Sequence, residues 1–448
     1  MITKLLREFT LNNKIFTKLS RSELRFRMLK STLWSILGAV SNRGIMLIVS
    51  IVLARLLGTH TYGQYGMIRS AVNMFIVFAA FGIGTTATKY ISEFRVKDPG
   101  KVERVLGLSV LSVVFISFII FIFCFFGAET IANTSLNDAS LVTSVRIAAF
   151  IIVVSAINGF MVGALNGFEA FNYTAKTSFF GAITGLLFIC LLGSHWGLNG
   201  ALLGFLIYVG ASCFLYICFL KKVLCYHKIR VNILHSFREF DVIWKFSLPA
   251  ILNGLIVAPI IWVGNLFLVN QLNGYEQMAI YDVCNQWRLL ILFIPGIISQ
   301  VALPMLSNLY GQRNQKGYKE VIWMNLIVNT SIAIIMACII GCFSPLILEF
   351  YGEGFSEGVA IFLLLLVSAV VCVANGVVGQ IIMSRGLAWY GLLFNLLWSI
   401  CFVLIAFFLV RKYQLGATGL ALSLVISYVF HSVWQGGYVI KILKSEKV

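Results

Sequence analysis

Long apolar segments separated by short polar connections run along the whole chain. The twelve segments are 31–57, 62–88, 105–126, 141–165, 173–193, 197–220, 241–269, 278–306, 321–343, 359–383, 387–410 and 416–440. They are roughly 20 residues or longer, which is the length of a membrane-spanning helix and about twice that of a barrel strand. Because a backbone in lipid must satisfy its own hydrogen bonds, such segments form helices. The pattern predicts an all-α polytopic membrane protein with twelve transmembrane helices.

The composition excludes other classes of protein. Of the 448 residues, 60% are hydrophobic and only 11% are charged. A soluble globular protein carries roughly 25% charged residues, so this chain has too few to cover a water-exposed surface. A soluble domain and an intrinsically disordered chain are therefore both excluded.

Lysine and arginine are concentrated in alternate connections. Most of the 34 basic residues lie in 1–30, 89–104, 166–176, 221–245, 307–320, 384–387 and the residues from 441. The other set of connections holds only Arg411 and Lys412. Since cytoplasmic loops carry the excess of basic residues, both termini are expected in the cytoplasm. The net charge of +17 is then a topology signal, and no nucleic-acid partner is predicted.

The basic connection 221–245 divides the segments into two sets of six, as in transporters that are built from repeats. A short similarity supports a repeat: S-N-R-G-I-M-L-I-V begins at Ser41, and L-N-G-L-I-V begins at Leu252. We therefore predict two six-helix lobes related by a pseudo-two-fold axis. The predicted units are a basic N-terminal segment (1–30), an N-lobe (31–220), a basic linker (221–240), a C-lobe (241–440) and a cytoplasmic tail (441–448).

Signatures of enzymes are missing from the sequence. There is no Walker A motif, no G-x-S-x-G and no H-E-x-x-H. The ten cysteines show no C-x-x-C or Cys/His metal spacing. The longest connection has about 20 residues outside the spans, too few for a folded catalytic domain. We expect a non-enzyme without cofactor or metal, whose function is performed inside the helical bundle.

Ionisable residues within the spans are the first candidates for function, since they are costly in hydrocarbon and usually face a cavity. The five basic residues of this kind are Arg43, Arg55, Arg69, Arg146 and Arg288, and the one acid is Asp282. Arg43 lies about 12 residues into its segment, roughly 18 Å at helical rise and near mid-membrane. Arg288 is similarly deep, whereas Arg55 and Arg146 are close enough to an end to snorkel.

This excess of arginine predicts a central cationic cavity for an anionic ligand. Arginine suits phosphate because its planar guanidinium binds two oxygens at once. We expect Arg43, Arg69 and Arg288 to contact the ligand, assisted by Asn42 and Asn73 on the same helical faces. For the two asparagines, helix packing in lipid is an equally good explanation.

Asp282 has several interpretations. It could bind a coupling proton or cation, or pair with an arginine of the other half as a gate, or lie at the interface as a simple helix-end acid. Arg146 is a further candidate for coupling or gating.

Three stretches resemble a known family. They are L-A-R-L-L-G-T-H-T-Y-G-Q-Y-G (53–66), F-G-I-G-T-T-A-T-K-Y-I-S-E-F (81–94) and N-Q-W-R-L-L-I-L-F-I-P-G-I-I-S-Q-V-A-L-P-M-L-S (285–307). They are similar to the bacterial polysaccharide and O-antigen (Wzx-type) flippases of the multidrug/oligosaccharidyl-lipid/polysaccharide exporter superfamily. The match consists mainly of turns and glycines, so it indicates family better than substrate.

The resemblance implies a transporter of the bacterial inner membrane whose two lobes open alternately to either side. Its substrate would be an undecaprenyl-pyrophosphate-linked oligosaccharide, moved from the inner to the outer leaflet of the bilayer. The resemblance also implies H+ or Na+ as counter-ion and other glycan-assembly membrane proteins as partners. Twelve spans favour the O-antigen or capsule branch.

Three other functions fit the sequence less well. A cation-coupled multidrug exporter of the same superfamily would favour an acidic cavity, whereas this chain has five arginines against one aspartate in its spans. A major-facilitator transporter would show G-x-x-x-D-R-x-G-R-R, which is absent from 89–104. A glycan polymerase or ligase would show a large outer loop.

Overall fold

The computed structural model describes residues 23–242 and 248–445. The predicted basic N-terminal segment and the predicted tail lie partly outside these residues. The described residues form helices and turns without a β-strand, and so the all-α prediction is confirmed.

The described residues of the first half, from residue 23 onward, form five main helices. They are α1 (Glu23–Ala80), α2 (Ile83–Phe94), α3 (Pro99–Phe126), α4 (Val142–Gly167) and α5 (Phe171–His227). Two of them are broken: α1 at Gly58, where φ is 73°, and α5 at Trp196 and Gly197. Glycine accepts a positive φ without a steric penalty, so each break forms a tight turn. The break at Gly58 lies in a predicted connection, and the second break lies where a predicted connection meets the segment 197–220.

Residues 248–445 of the second half form six long helices. They are α6 (Leu248–Val269), α7 (Gly274–Gly311), α8 (Gln315–Cys342), α9 (Val359–Ser384), α10 (Ala388–Ala406) and α11 (Gly416–Ser445). A short helix, Ser344–Glu349, and a 3-10 turn, Glu353–Gly358, join α8 to α9.

Nine helices within the described ranges are long and apolar enough to cross a membrane, and Leu255–Val269 is a shorter apolar helix. The two arms of α1 and of α5 follow the boundaries of separate predicted segments. Twelve membrane crossings remain a prediction. The predicted segment 62–88 is interrupted at Phe81 and Gly82, where φ is positive.

Polar residues begin two of the helices. Asp98 caps α3 by accepting a hydrogen bond from the Lys101 amide, and Pro99 takes the first helical position. Asn314 caps α8 by accepting from the Gly317 amide. The polar connections of the sequence therefore determine where these long helices start.

The connections gather at two ends of the bundle. At the basic end, Arg95 pairs with Glu169, and Arg104 pairs with Glu239. This end contains the connections 95–98, 168–170, 228–242, 312–314 and 385–387. At the opposite end, which contains 127–141, 270–273, 343–358 and 413–415, Tyr275 donates to the Leu136 carbonyl.

Each half packs mainly within itself. In the first half α1 packs against α4 and α5, and in the second half α7 packs against α8 and α9. The halves meet where α1 contacts α6 and α7. Large apolar side chains of α3, including Phe115, Phe123 and Phe126, are exposed on the outside, as expected of a surface that lipid covers.

Candidate functional site

Two cavities lie beside α1 and share part of their lining. The central cavity, of about 430 Å³, lies between the two halves, and the first-half cavity, of about 370 Å³, lies among α1, α4 and α5. Five residues that the sequence singled out line the central cavity: Asn42, Arg43, Arg69, Asn73 and Asp282. Asn42 and Arg69 also line the first-half cavity.

Arg43 extends from α1 towards α7. Its Nη1 donates to the carbonyl oxygen of Leu289 at 3.0 Å, and its guanidinium carbon lies 4.3 Å from the ring centroid of Phe293. The side chain is exposed in the cavity. Within the described ranges, the arginines that form ion pairs are Arg69, Arg95 and Arg104. Its positive charge therefore has no carboxylate partner there.

Arg69 is paired with the acid of the other half. Its Nη2 lies 2.8 Å and 2.7 Å from the two carboxylate oxygens of Asp282. The arginine side chain is 25% exposed and the aspartate 10% exposed. Pairing with an arginine of the other half is one of the alternatives open for Asp282 from the sequence.

Gln286 extends this pair into a network. Its Nε2 donates to Asp282 Oδ2 and to the hydroxyl of Tyr62, both at 3.0 Å. The four side chains therefore join α1 to α7. In α6, Asn265 donates to the Ser70 hydroxyl at 2.7 Å and adds a further bond between the halves.

The two predicted asparagines have different surroundings. Asn42 donates from Nδ2 to the Ser178 carbonyl at 3.2 Å and to the Tyr208 hydroxyl at 3.3 Å. These bonds hold it against α5, in the wall that both cavities share. Asn73 is exposed. It lines the central cavity and is not part of the lining of the first-half cavity.

Arg288 is not brought together with Arg43 and Arg69. It is buried in the second half with 6% exposure. It donates to the hydroxyl of Ser368 at 2.9 Å, to Asn285 Oδ1 at 3.3 Å and to the Tyr428 hydroxyl at 3.3 Å. Its guanidinium is therefore held by neutral oxygens. Arg288 itself does not line the central cavity, although its partner Asn285 does.

Arg146 also lies apart from both cavities. It is exposed on α4 near the opposite end, with its guanidinium carbon 5.7 Å from the Phe125 ring centroid. This is the location expected of an arginine that snorkels along an aromatic surface.

The opposite end is closed by contacts between the halves. Arg55 donates to the carbonyl oxygens of Phe350 at 2.7 Å and Glu349 at 3.3 Å. Those carbonyls belong to the C-terminal end of the short helix Ser344–Glu349, where a cation is favourable. One turn before Arg55, the Ser50 hydroxyl lies 3.2 Å from that of Tyr351.

A close backbone approach completes the closure. A Cβ atom on Gly63 of α1 would overlap the carbonyl oxygen of Tyr275 of α7. Only glycine permits this distance, because any other side chain would separate the helices. The central cavity therefore lies on the basic-end side of a closed contact.

Sequence reasoning did not identify several of these residues. Gln286 follows Asp282 by four positions and so lies on the same helical face, a signal that could have been used. Tyr62 stood out in the sequence only as the counterpart of Tyr275 in the repeat. No local pattern pointed to Tyr208 or Asn265, because their partners are distant in sequence.

Two comparisons of sequence identify relatives. The profile of the family described as "Polysaccharide biosynthesis protein" matches residues 28–310. The chain is 22% identical over 406 residues to the EPS I polysaccharide export inner membrane protein EpsE of Ralstonia nicotianae, covering 89% of this chain and 91% of that protein. The protein of the same name from Ralstonia solanacearum is 20% identical over 410 residues, covering 90% and 92%. The predicted inner-membrane localisation is thereby confirmed.

Solved structures share the fold. An inward-facing multidrug resistance MATE family transporter of the MOP superfamily superposes with a TM-score of 0.78 at 14% identity, covering 92% of this chain and all of that one. A MOP superfamily transporter from Pyrococcus furiosus, described by the reverse polarity of its binding pocket, superposes with a TM-score of 0.67 at 16% identity. The match covers 95% of this chain and 98% of that one. With the profile match over more than half of its length, the chain belongs to the polysaccharide biosynthesis protein family, and it has the fold of MOP superfamily transporters.

Proposed function

We propose that this protein is a flippase that translocates undecaprenyl-pyrophosphate-linked oligosaccharide from the cytoplasmic to the periplasmic leaflet by alternating access. The observation that carries the proposal is the Arg43 guanidinium, which lines a cavity between two halves and lacks a carboxylate partner in the described part of the chain. The export role of the EpsE relatives supports a glycan as substrate.

The charge of the central cavity suits a pyrophosphate. Arg69 is neutralised by Asp282, whereas Arg43 is bound by one backbone carbonyl and one aromatic face. A guanidinium bound in this way keeps further N–H donors for phosphate oxygens, and a low local dielectric strengthens the attraction. The exposed amide of Asn73 supplies N–H donors nearby for phosphate or sugar oxygens. Asn42 already uses its Nδ2 for Ser178 and Tyr208, so it offers its Oδ1, which accepts from a sugar hydroxyl.

The cavity dimensions suit a head group rather than a whole lipid. Ligand pockets span about 300–1,000 Å³, and the central and first-half cavities, of about 430 and 370 Å³, lie within that range. The polyprenyl tail would remain in the bilayer while the pyrophosphate and its sugars occupy the cavity. The basic end would face the cytoplasm, where the lipid-linked substrate is made.

The contacts at the opposite end supply a gate. Opening towards the periplasm requires breaking the Arg69–Asp282 pair and the bonds from Arg55 to the short helix. A proton on Asp282, or Na+ in place of the guanidinium, would remove the attraction to Arg69. Coupling to either ion gradient would then act through this pair, because the ion binds one state of the gate better than the other.

A multidrug exporter of the same superfamily is the second hypothesis. The shared fold with MATE transporters is compatible with it. The charged residues of the central cavity are two arginines against one aspartate, which would repel a cationic drug. A glycan polymerase or ligase is less well supported, since the connections of the described chain are short.

Reconstitution in liposomes tests the flippase. Lipid-linked oligosaccharide is placed in one leaflet, and its appearance in the other is followed under an imposed proton or sodium gradient. Wild type should translocate it, Arg43→Ala should not, and Arg146→Ala serves as a charge-matched control. If folded wild type fails to move the oligosaccharide made by its own source cells under either gradient, the proposal is wrong.

A further inference from the structure

A third cavity lies wholly in the second half. Its volume of about 750 Å³ exceeds that of either cavity described above. We call it the second-half cavity; its polar lining residues include Asn375, Gln380, Trp398, His431 and Gln435. It lies among α9, α10 and α11 and extends towards the basic end, where Met383 and Ala388 flank the connection 385–387.

The chemistry of this lining differs from that of the central cavity. Its described residues include no aspartate, glutamate, lysine or arginine. Primary amides and aromatic rings provide the polar groups instead. A ligand with a formal charge would lose its hydration there without gaining an opposite charge, so the cavity favours an uncharged ligand.

A buried polar atom in this lining has no partner. In the part of the chain that the structure describes, Trp398 Nε1 makes no hydrogen bond, and the residue is 2% exposed. The side chains of His431 and Gln435, which are 5% and 4% exposed, lie within hydrogen-bonding reach of each other. Buried polar groups are nearly always hydrogen-bonded, so the indole N–H indicates a ligand that accepts a hydrogen bond. A lipid acyl chain would leave it unpaired.

An aromatic surface accompanies these polar atoms. The rings of Trp398 and Tyr428 stack with centroids 5.1 Å apart and an interplanar angle of 25°. The Tyr428 hydroxyl is held by Arg288 Nη2 at 3.3 Å, which fixes this wall. An aromatic body beside hydrogen-bonding groups suits a ligand with both apolar faces and hydroxyl edges. Sugar rings have that combination.

The second-half cavity adjoins the central cavity across α6. Val257 lines the former and the next residue, Ala258, lines the latter. A glycan extending from a pyrophosphate near Arg43 could therefore reach the amides of the second half.

From these observations we propose that the second-half cavity binds uncharged sugar residues of the transported glycan, while the central cavity binds the pyrophosphate. This inference rests on the proposed function and adds the substrate class: neutral hexoses or N-acetylated sugars, rather than acidic sugars, occupy this subsite. The two cavities then divide the recognition of one ligand into a charged part and a neutral part.

Binding measurements in nanodiscs test this division, since a maltoside detergent could itself occupy the site. The probes are bare undecaprenyl pyrophosphate and the lipid-linked oligosaccharide extracted from the source cells. The variants are Gln435→Met, which removes a polar group at similar volume, and Trp398→Phe, which removes the indole N–H and keeps an aromatic ring of smaller size. Val433→Ala is the matched control, because Val433 is on the same helix as Gln435 and is 67% exposed.

We expect wild type and Val433→Ala to bind the oligosaccharide lipid about tenfold more tightly than the bare lipid, as one or two hydrogen bonds would give. Gln435→Met and Trp398→Phe should lose most of this difference and keep their affinity for the bare lipid. If the difference persists in both variants, or is absent from wild type, the sugar subsite is wrong and the flippase proposal stands. If wild type binds neither lipid, both proposals fail.

Discussion

Asp282 of α7 accepts from one guanidinium nitrogen of Arg69 of α1 through both carboxylate oxygens, at 2.8 Å and 2.7 Å. The pair joins the two halves at the wall of the central cavity. It also neutralises the one acid and one of the arginines that the sequence places within the spans. The remaining cation of that cavity is Arg43, whose charge is not matched by an acid among the described residues.

We expect a measurable coupling free energy between Arg69 and Asp282. Arg69→Met and Asp282→Asn should each lower the stability of the closed conformation, because each leaves the other group unpaired in a partly buried site. The double variant should be less destabilised than the sum of the two, by about 1–3 kcal/mol of coupling. Thermal unfolding of the three variants in one detergent measures this. Additive effects would mean that the pair does not stabilise the closed state.

Arg43 predicts a graded loss of ligand binding. Arg43→Ala should lower the affinity for undecaprenyl pyrophosphate about tenfold or more, because charge-assisted bonds to phosphate are lost. Arg43→Lys should retain part of the affinity, since lysine keeps the charge without the planar pair of donors. Binding is measured at low and high salt.

Arg146→Ala is the control for this series, because it removes the same charge from an exposed position over Phe125. Its affinity should stay within about twofold of wild type, as for other exposed surface groups. Equal losses in Arg43→Ala and Arg146→Ala would show that the overall charge, and not the cavity, attracts the lipid.

The contact between Gly63 and the Tyr275 carbonyl, which closes the opposite end, can be tested by adding a methyl group. Gly63→Ala places a methyl group onto the Tyr275 carbonyl, and overpacking of this kind costs about 1–3 kcal/mol. The closed contact should open in a larger share of molecules. In a background without exposed cysteines, Asn73→Cys should then react faster with a membrane-impermeant thiol reagent added at the opposite end.

Gly44→Ala is the matched control on the same helix. A Cβ atom there meets no atom within 4 Å, and alanine is the better helix former. In this variant, the cysteine at position 73 should react with the thiol reagent as fast as it does in the protein that keeps both glycines. If Gly63→Ala reacts no faster than Gly44→Ala, the contact at Tyr275 does not close this end.

The positions of the long helices could be predicted, because each depends on local apolar length and on a turn residue such as Gly58. Arg43 is expected at a cavity because of its depth in the span, and it lines the central cavity. Asn73 is expected there because it follows Arg69 by four residues and so shares its helix face. The location of Arg288 could not be predicted from the sequence. Depth in a span suggested the central cavity, but rotation of α7 turns this side chain to Ser368 and Tyr428. Rotation depends on packing against helices that are distant in sequence, which one sequence does not specify.

Arg288 therefore predicts an effect on stability. Arg288→Ala removes three hydrogen bonds and leaves a void beside the Tyr428 hydroxyl, at a cost of about 2–5 kcal/mol. The amount of folded protein and its unfolding temperature should fall. The transport rate per folded molecule is measured alongside. A normal unfolding temperature with lost lipid binding would instead support the ligand contact that the sequence suggested.

Cysteines at positions 59 and 354 should form a disulfide that holds the opposite end closed. A Cβ atom on Gly354 would lie 3.8 Å from the Cβ of Thr59, which is the spacing that a disulfide requires. Thr59→Cys with Gly354→Cys should therefore form a crosslink between the two halves under mild oxidation. Because opening of this end separates the two residues, the crosslinked protein should lose transport almost completely and recover it with a reductant.

The crosslink is best made after replacing the exposed native cysteines with serine; these are Cys218, Cys225, Cys338 and Cys342. Each single-cysteine variant is the control, and it should transport normally before and after oxidation. Crosslinking is followed by a shift in gel mobility after cleavage of the chain between the halves. A double variant that crosslinks fully and still transports would mean that the two halves do not separate at the opposite end during the cycle, and alternating access through this gate would be wrong.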